Sequence, residues 1–412
     1  MNMKKGLMIL FCALMICSSI SCTKKNTEKT LRIVGFDLRE IQDYIDQFKL
    51  ENPDIKISVT DYYDYSDYIG SIEKLNSSML ASDCGDIFIC GDSYNIENLI
   101  KNDFVWDMNN SEKIRELSNK LSPNILECCK FEDKLVTLFP CYDVTCFLCK
   151  SKNDIWDTDN IILTLNEHIE KNDNLFANYS EDVYCDILCT MLTEDIESLN
   201  SPNIRSKYIE IINDFGKLKE ISDKDNIDFS IDSSYLSNDS IIYMQDNIGQ
   251  FSEIGFLSQN CFNDKITAHG YPLKEESFII TIPVRFMILN KSKNKDIACD
   301  FITNCLSDKA QTEISESLDF PVVQDILNYR YEKVKHDNSI ESNELSEDEK
   351  ISVDDIDAVY QIVLSAKKTK DISPILQDKV YDTMSSFFEQ EISAEVTYDE
   401  ILSFINLYVI TD

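Results

Sequence analysis

Three short stretches end in residues that could hold a polar small molecule: Gly35-Phe36-Asp37, Asp61-Tyr62-Tyr63 and Gly91-Asp92. Each closes an apolar run of strand-like character. Tyr142-Asp143 in "FPCYDV" and His269-Gly270-Tyr271-Pro272 have the same make-up. Carboxylates accept hydrogen bonds from hydroxyls, and aromatic faces pack on the C–H faces of sugar rings. Phe36, Asp37, Asp61, Tyr63, Asp92, Tyr142, Asp143 and Tyr271 are therefore the candidate ligand-binding residues. Tyrosine and phenylalanine number 19 and 21, so core packing competes for every aromatic in that set. Asp37, Asp61 and Asp92 carry more weight, because carboxylates are seldom buried without a role.

Patterns for catalysis are weak. None of the three histidines, His168, His269 and His336, stands in H-E-x-x-H, and no serine lies in G-x-S-x-G. The nine glycines form no phosphate-cradling loop. Two carboxylates could hydrolyse a glycoside, but among 74 acidic residues a pair means little without geometry. "DKDNIDFSID" has oxygen spacing like a calcium loop without the turn glycine. Cys146 and Cys149 form one C-x-x-C, near Cys141, with no second pair or histidine cluster to complete a zinc site. The expectation is no metal and no cofactor.

The elements that would position the candidates read as α/β. Leu31–Val34 is a buried strand; Leu38, Ile41, Tyr44, Ile45 and Phe48 recur at helical spacing, stopped by Asn52-Pro53. Ile55, Ile57 and Val59 alternate as a second strand, and Ile69, Ile72, Leu75 and Met79 mark a second helix before the strand in "GDIFICGD". This strand–helix alternation implies a parallel sheet, which binds ligands beyond its carboxyl ends. "KLVTLFPCYDVTCFLCKSK" reads as two strand runs joined through Pro140. A capping-box pattern, Thr164 and Glu167, predicts a helix start there, with His168 on its polar side. Further helices fit 183–192 and 204–218, with a strand in "SIIYMQDN" and extended chain through "SFIITIPVRFMILN". A helix begins at Ser292, and three more, over 356–366, 375–388 and 398–407, follow an acidic linker from Lys335 to Asp355.

The amino terminus reads as an export segment. Lys4 and Lys5 precede an apolar run from Leu7 to Cys17, about a dozen residues, within signal-peptide range. Ser18-Ser19-Ile20-Ser21 then meets Cys22, which resembles a lipoprotein cleavage site with Ser19 where leucine is usual. Residues 1–21 are expected to leave as a signal peptide, Cys22 to carry lipid, and 22–30 to form a polar tether; an ordinary secretory signal is the alternative. Without Lys4 and Lys5, 37 basic side chains face 74 acidic ones, a net charge near −37 that repels nucleic acid. Of 15 cysteines, Cys12 and Cys17 fall in the signal and Cys22 at the anchor, leaving twelve. Several sit inside apolar runs, where a free thiol acts as a small hydrophobe. Exported thiols in that state point to an oxygen-poor exterior.

Taken together, the motifs resemble the bacterial extracellular solute-binding proteins of family 1, which serve ABC-type importers of sugars and related solutes. The likeness rests on "LRIVGF" followed by "IQDYIDQFKLENPDIKISVTDYYDYSDY", on "KLNSSMLASDCGDIFIC", and on "LFPCYDVTCFLCKSK". It continues through "KITAHGYPLKEES", "SKNKDIACDFITNCLSDKAQ" with its Gln311, "DFPVV" and "FFEQEISAEVTYDEILSFINLYV". Trp is common in the family where Phe36 stands, and Trp106 fits a structural loop.

The resemblance implies a two-lobed periplasmic-binding-protein-like α/β fold with a ligand cleft between lobes and about three crossovers. One lobe would comprise 31–138 and 284–318, the other 145–271 and 324–412, with hinges at 139–144, 272–283 and 319–323. It implies no enzyme but a monomeric capture protein on the extracellular face of the membrane, held by its lipid. Its partners would be a small solute, carbohydrate as the leading class, and ABC permease subunits, with no nucleic acid. The rival readings are a lipid-anchored carbohydrate-active enzyme and a sensory binding module.

Overall fold

A computed structural model describes residues 29–408 apart from 65, 81–83, 93, 95, 158–159, 172, 177–179, 225–233, 238–240, 276, 317–318, 338–350 and 371. Cys22, the signal segment, most of the calcium-like stretch and the middle of the acidic linker lie outside the described residues.

The principal elements of the first half are β1 (Lys29–Phe36), α1 (Gln42–Glu51), β2 (Ile55–Asp61), α2 (Tyr68–Leu80), β3 (Ile87–Cys90), β4 (Cys141–Lys150), α3 (Ile161–Lys171) and α4 (Ser180–Glu194). There follow α5 (Pro202–Lys224), β5 (Tyr243–Ile248), β6 (Ile266–His269), β7 (Ile279–Thr281), β8 (Arg285–Ile288) and α6 (Lys295–Cys305). The chain closes with α7 (Asp308–Ile314), β9 (Phe320–Pro321), α8 (Gln324–Asp337), α9 (Val353–Ser365), β10 (Lys368–Thr369), α10 (Pro374–Phe388) and α11 (Ala394–Tyr408).

The first sheet has the order β8-β3-β1-β2. β1 runs parallel to β2, from Lys29 opposite Ile55 to Gly35 opposite Asp61, and parallel to β3, while β8 is antiparallel to β3. Parallel neighbours require a crossover, here supplied by α1 and α2. Ile45 and Phe48 of α1 are buried, and Phe48 meets Phe301 of α6 edge-on at 5.3 Å. Each such burial stabilises by about 1.5–3 kcal/mol. Val34, Phe36 and Phe88 share a second cluster with Ile72, Leu75 and Met79 of α2.

The motif around Gly85-Asp86 is structural. Asp86 is buried and accepts from Arg32 N (2.9 Å), Ser292 Oγ (2.8 Å) and Asn294 Nδ2 (3.3 Å), joining β1, β3 and the entry to α6. Burial pushes its carboxyl up, but hydrogen bonds from Arg32, Ser292 and Asn294 outweigh that and hold it below the usual range. Gly85 has φ +142°, a backbone region that favours glycine, and a Cβ there would lie 2.9 Å from Val34 Cγ2.

The second sheet is built around β4. One edge of β4 pairs antiparallel with β5, from Val144 opposite Ile248 to Cys149 opposite Tyr243. Its other edge pairs with β6 and β7, and β10 adds parallel to β7. Phe147, Cys149, Tyr243 and Tyr271 join a core with residues of α3, α4, α5, α10 and α11. The two sheets are joined closely. Leu138 bridges Phe286 of the first sheet three residues before β4 begins. A continuous apolar cluster runs from Ile33 and Ile89 through Leu138 and Tyr142 to Val144 and Cys146. Buried Gln311 ties two of the connecting segments: its Nε2 donates to Pro140 O (2.7 Å) and its Oε1 accepts from Val322 N (2.8 Å).

Several local expectations need correction. β1 starts at Lys29, inside the expected tether and two residues before the expected strand. The run from Lys134 is a two-residue strand, Lys134–Leu135, followed by the ten-residue β4 rather than two comparable strands. Thr164 is not an N-cap: α3 begins at Ile161, and Thr164 Oγ1 instead accepts from Asp157 N (2.8 Å) and donates to Ile155 O (3.2 Å). His168 faces the core, 1% exposed, with Nδ1 2.9 Å from Asp173 Oδ2, because that acid satisfies a ring that would otherwise stay in water. The helix expected at Ser292 begins at Lys295, since Ser292 turns its hydroxyl to Asp86.

Candidate functional site

The carboxyl ends of β1 and β2 form a turn held together by Asp61. Its carboxylate accepts from Asp37 N (3.1 Å), Leu38 N (3.0 Å) and Tyr63 N (3.0 Å). Asp37 takes a left-handed conformation, φ 62°, and pairs with Arg39 at 2.6 Å. Phe36 is fully buried and meets the Tyr63 ring edge-on at 5.2 Å, while the Arg39 guanidinium lies 5.9 Å from that ring. These four sequence-predicted residues therefore come together in one turn, each engaged by its neighbours.

Asp92, after β3, occupies a different setting. It accepts from Ile282 N (2.5 Å) and from the guanidinium of Arg285, a side chain only 1% exposed. A Cβ on the preceding Gly91 would lie 2.7 Å from Pro283 O, so only glycine lets the end of β3 approach the segment between β7 and β8. That segment runs from the second sheet to the first.

Asp92 opens on a cleft of about 520 Å³ between the sheets. The other lining residues come from the second sheet and its helices: Thr145, Asp182, Asp186, Gln245, Asp246, Asn247, Thr281, Lys370, Gln377 and Tyr381. Three neighbouring strands supply a ladder of polar side chains. Thr145 Oγ1 lies 2.7 Å from Asn247 Oδ1 on β5 and 2.7 Å from Thr281 Oγ1 on β7. Behind it, the Tyr271 hydroxyl donates to Asp186 Oδ2 (2.5 Å) and accepts from Gln245 Nε2 (2.6 Å). Gln245 also reaches Asp186 (2.8 Å), and Lys370 Nζ lies 2.5 Å from its other oxygen. Tyr271 is fully buried, so it acts on the cleft through Gln245 and Asp186.

Electrostatics differ among the acids. Burial pushes the Asp246 carboxyl up to about 6, against a lowering hydrogen bond from Asn247 N. Burial also raises Asp182, helped by the charge of Glu181. Tyr142 is fully buried against Phe139 and Phe320, in the core rather than in the cleft. Asp143 faces Asp319 near the start of β4. Burial, then the charge of and hydrogen bond to Asp319, push it up to about 8, with Arg330 opposing.

Among the described residues, Asp92 is thus the sequence-predicted residue that lines the cleft, with Tyr271 supporting it from behind. Reading the strands alone missed Thr145, Gln245, Asp246, Asn247 and Thr281. The available signal was their polarity: "QDN" interrupts β5, Thr145 stands within the apolar "VTCFLC" of β4, and Thr281 ends the otherwise apolar β7. Asp182, Asp186, Gln377 and Tyr381 come from helices and Lys370 from the end of β10, all remote in sequence. One trio of described residues could hold a metal ion, Cys149, Asp154 and His269, whose ligand atoms lie within 4.8 Å of one another. There His269 Nε2 is 2.9 Å from Asp154, and burial, with Asp154 adding, holds the Cys149 thiol up at about 12. No helix among the described residues is long and apolar enough to cross a membrane.

Comparison with known proteins decides the fold. No protein-family model and no curated protein matches the sequence. Among solved structures, an ABC substrate-binding protein from Listeria monocytogenes in complex with cycloalternan superposes with a TM-score of 0.55 at 12% identity, covering 92% of this chain and 98% of its own. The cyclic α-maltosyl-1,6-maltose binding protein from Arthrobacter globiformis gives 0.56 at 12% identity, over 93% and 99%. The fold is that of the ABC-type solute-binding proteins. An extracellular solute-binding protein of family 1 from Alicyclobacillus acidocaldarius gives 0.55 at 11%, over 92% and 97%. The solute-binding fold has two lobes, and the cleft lined by Asp92 and the second-sheet residues lies between the two sheets of this chain.

Proposed function

We propose that this protein captures a small solute, a mono- or oligosaccharide, in the cleft between its lobes and delivers it unaltered to an ABC-type importer. The observation that carries the reading is the cleft itself. Its floor is a hydrogen-bonded row of threonine and amide side chains on three adjacent strands, and the opposite sheet contributes Asp92. Such a surface offers many donors and acceptors at fixed spacing, which suits a ligand rich in hydroxyls. The segments at 139–144, 272–283 and 319–323 would serve as hinges between lobes 31–138 plus 284–318 and 145–271 plus 324–412, with closure burying the ligand. Cys22 would carry the lipid that keeps a monomeric receptor beside its permease, raising the local concentration of captured solute. Saccharides bound by structural relatives support the class: cycloalternan in the Listeria protein and maltotetraose in a cyclo/maltodextrin-binding protein.

Isothermal titration of the purified protein with a saccharide panel, followed by mass spectrometry of the recovered ligand, tests this. One unaltered saccharide bound per chain is expected; a cleaved ligand would make the protein an enzyme. Lipidation is tested separately by labelling cells with a radioactive fatty acid. Label retained by the wild type and lost in Cys22→Ala is expected, and label in both would remove the anchor from Cys22.

A further inference from the structure

Away from the cleft, the second sheet brings three metal-ligating side chains to one place. β4 pairs antiparallel with β6, so that Cys149 lies opposite Thr267 and Phe147 opposite His269. Opposed residues share a face, as do residues two apart along a strand, which makes Cys149 and His269 diagonal neighbours. The chain leaves β4 through a short turn and returns Asp154 to the same spot, 2.9 Å from His269 Nε2. Sulfur, carboxylate oxygen and ring nitrogen all lie within 4.8 Å of one another. Trp156 steadies two of the three: its backbone N–H donates to Asp154 Oδ1 (3.3 Å), and its ring stacks on His269 at 6.0 Å. Cys149 is fully buried, whereas the His269 and Asp154 side chains are 13% and 26% exposed, so the trio opens to solvent on one side. It stands four residues along β4 from Thr145, about 13 Å from the cleft floor.

We propose that Cys149, Asp154 and His269 form a zinc site, completed by a water molecule, that clasps the segment after β4 to β6. One sulfur, one imidazole and one carboxylate suit a borderline-soft ion, whereas calcium and magnesium take oxygen ligands throughout. Three protein ligands with a solvent-facing fourth position is an arrangement zinc adopts. Ligand atoms around tetrahedral zinc stand about 3.3–3.7 Å apart, so the trio must draw in by about 1 Å at most. Two of the ligands are fixed by strand register, and Asp154 is the one free to adjust from the solvent side. On binding, the Cys149 thiol gives its proton to solvent as the sulfur–zinc bond forms, one proton per ion. The formal charge of −35 draws a dication toward the chain as well. Cysteine pairs and histidine clusters along the sequence could not reveal this site, because its ligands come from two strands and the turn after one of them.

The test is titration of the purified, reduced and chelator-treated protein with cobalt(II), which takes zinc's place and absorbs light where zinc does not. A thiolate-to-cobalt band in the near ultraviolet, with the visible bands of a tetrahedral site, is expected to saturate at one ion per chain and to vanish when zinc is added. Cys149→Ser should abolish the thiolate band. His269→Ala and Asp154→Asn, which keep the sulfur, should each weaken cobalt binding at least about tenfold, the scale seen even when a partner outside the ligand set is lost. Zinc should also raise the melting temperature of wild type and leave that of Cys149→Ser where it was. Absence of a thiolate band at one equivalent would overturn the inference, and so would a band that survives Cys149→Ser, since another thiol would then hold the ion. Should Cys149→Ser fail to fold by circular dichroism, the two sulfur-keeping variants decide: unchanged cobalt affinity in both would overturn the site. Saccharide capture stands or falls independently of every one of these results.

Discussion

Replacing Asp92 removes the carboxylate that links the end of β3 to the segment leading from β7 to β8. Arg285 is 1% exposed and the Asp92 side chain 14%, so the pair is nearly dry. Taking one partner from a buried pair costs about 3–5 kcal/mol, because the other charge stays buried. Partial wetting of Asp92 puts the loss toward the lower end. The hydrogen bond from Ile282 N to the same carboxylate would contribute about 1.5–3 kcal/mol alone, but water in the cleft can replace it. For Asp92→Ala the expected total is therefore about 3–4 kcal/mol. Asp92→Asn keeps an acceptor for Ile282 N and loses only the charge, so about half that loss is expected. Urea unfolding followed by circular dichroism, at fixed pH and salt, gives both values by linear extrapolation. A loss under about 1 kcal/mol for alanine, or an asparagine variant as damaged as the alanine one, would refute the idea that Asp92 stabilises the fold through Arg285's charge.

Three further outcomes are expected. The Asp143 carboxyl is raised from 3.8 to about 8, so the folded state favours its neutral form, and its contribution is lost as pH climbs through that window. Asp143→Asn should therefore melt higher than wild type at about pH 8 and together with it at about pH 4; a lower melting temperature at the alkaline end would reverse the sign of the argument. Of the twelve free cysteines among the described residues, Cys128 and Cys261 are partly exposed and ten are buried. Among these twelve, a thiol reagent should label those two quickly in the native protein and the rest only after denaturation, as mass spectrometry of the labelled peptides will show; rapid native labelling of Cys146 or Cys149 would contradict the packing. In Gly35→Ala the new Cβ would meet Ile89 O at 2.1 Å, and the backbone of β3 cannot swing aside like a side chain. A loss of about 2 kcal/mol or more is expected by denaturant titration, and near-neutrality would contradict the β1–β3 register.

The first sheet was legible because its signals are local. Alternation in β2, the helical spacing from Leu38 to Phe48 and the stop at Asn52-Pro53 each lie within a few residues, and the observed elements follow them. Thr164 and His168 misled because short polar residues can serve the core as readily as a cap or a surface. Thr164 bonds the chain before α3, and His168 finds an acid in the loop after it. The candidate site was harder to read for a different reason. Aromatic residues at strand ends look alike in sequence whether they face a cleft or a core, and Phe36 and Tyr142 went to the core. The cleft instead depends on register: Thr145 meets Asn247 and Thr281 only because β4 pairs with β5 on one edge and β7 on the other. Those partners lie 102 and 136 residues away along the chain, beyond the reach of any local pattern.

The most direct test of the account is a titration that reads the cleft floor. A saccharide bound by wild type should lose about tenfold or more in affinity when Gln245→Ala removes a floor amide, while Asp37→Ala, in the turn after β1, leaves affinity unchanged. Circular dichroism and melting of both variants should match wild type closely enough to exclude unfolding. Unchanged binding by Gln245→Ala together with loss in Asp37→Ala would place the ligand at the β1–β2 turn and contradict a receptor that binds between its sheets.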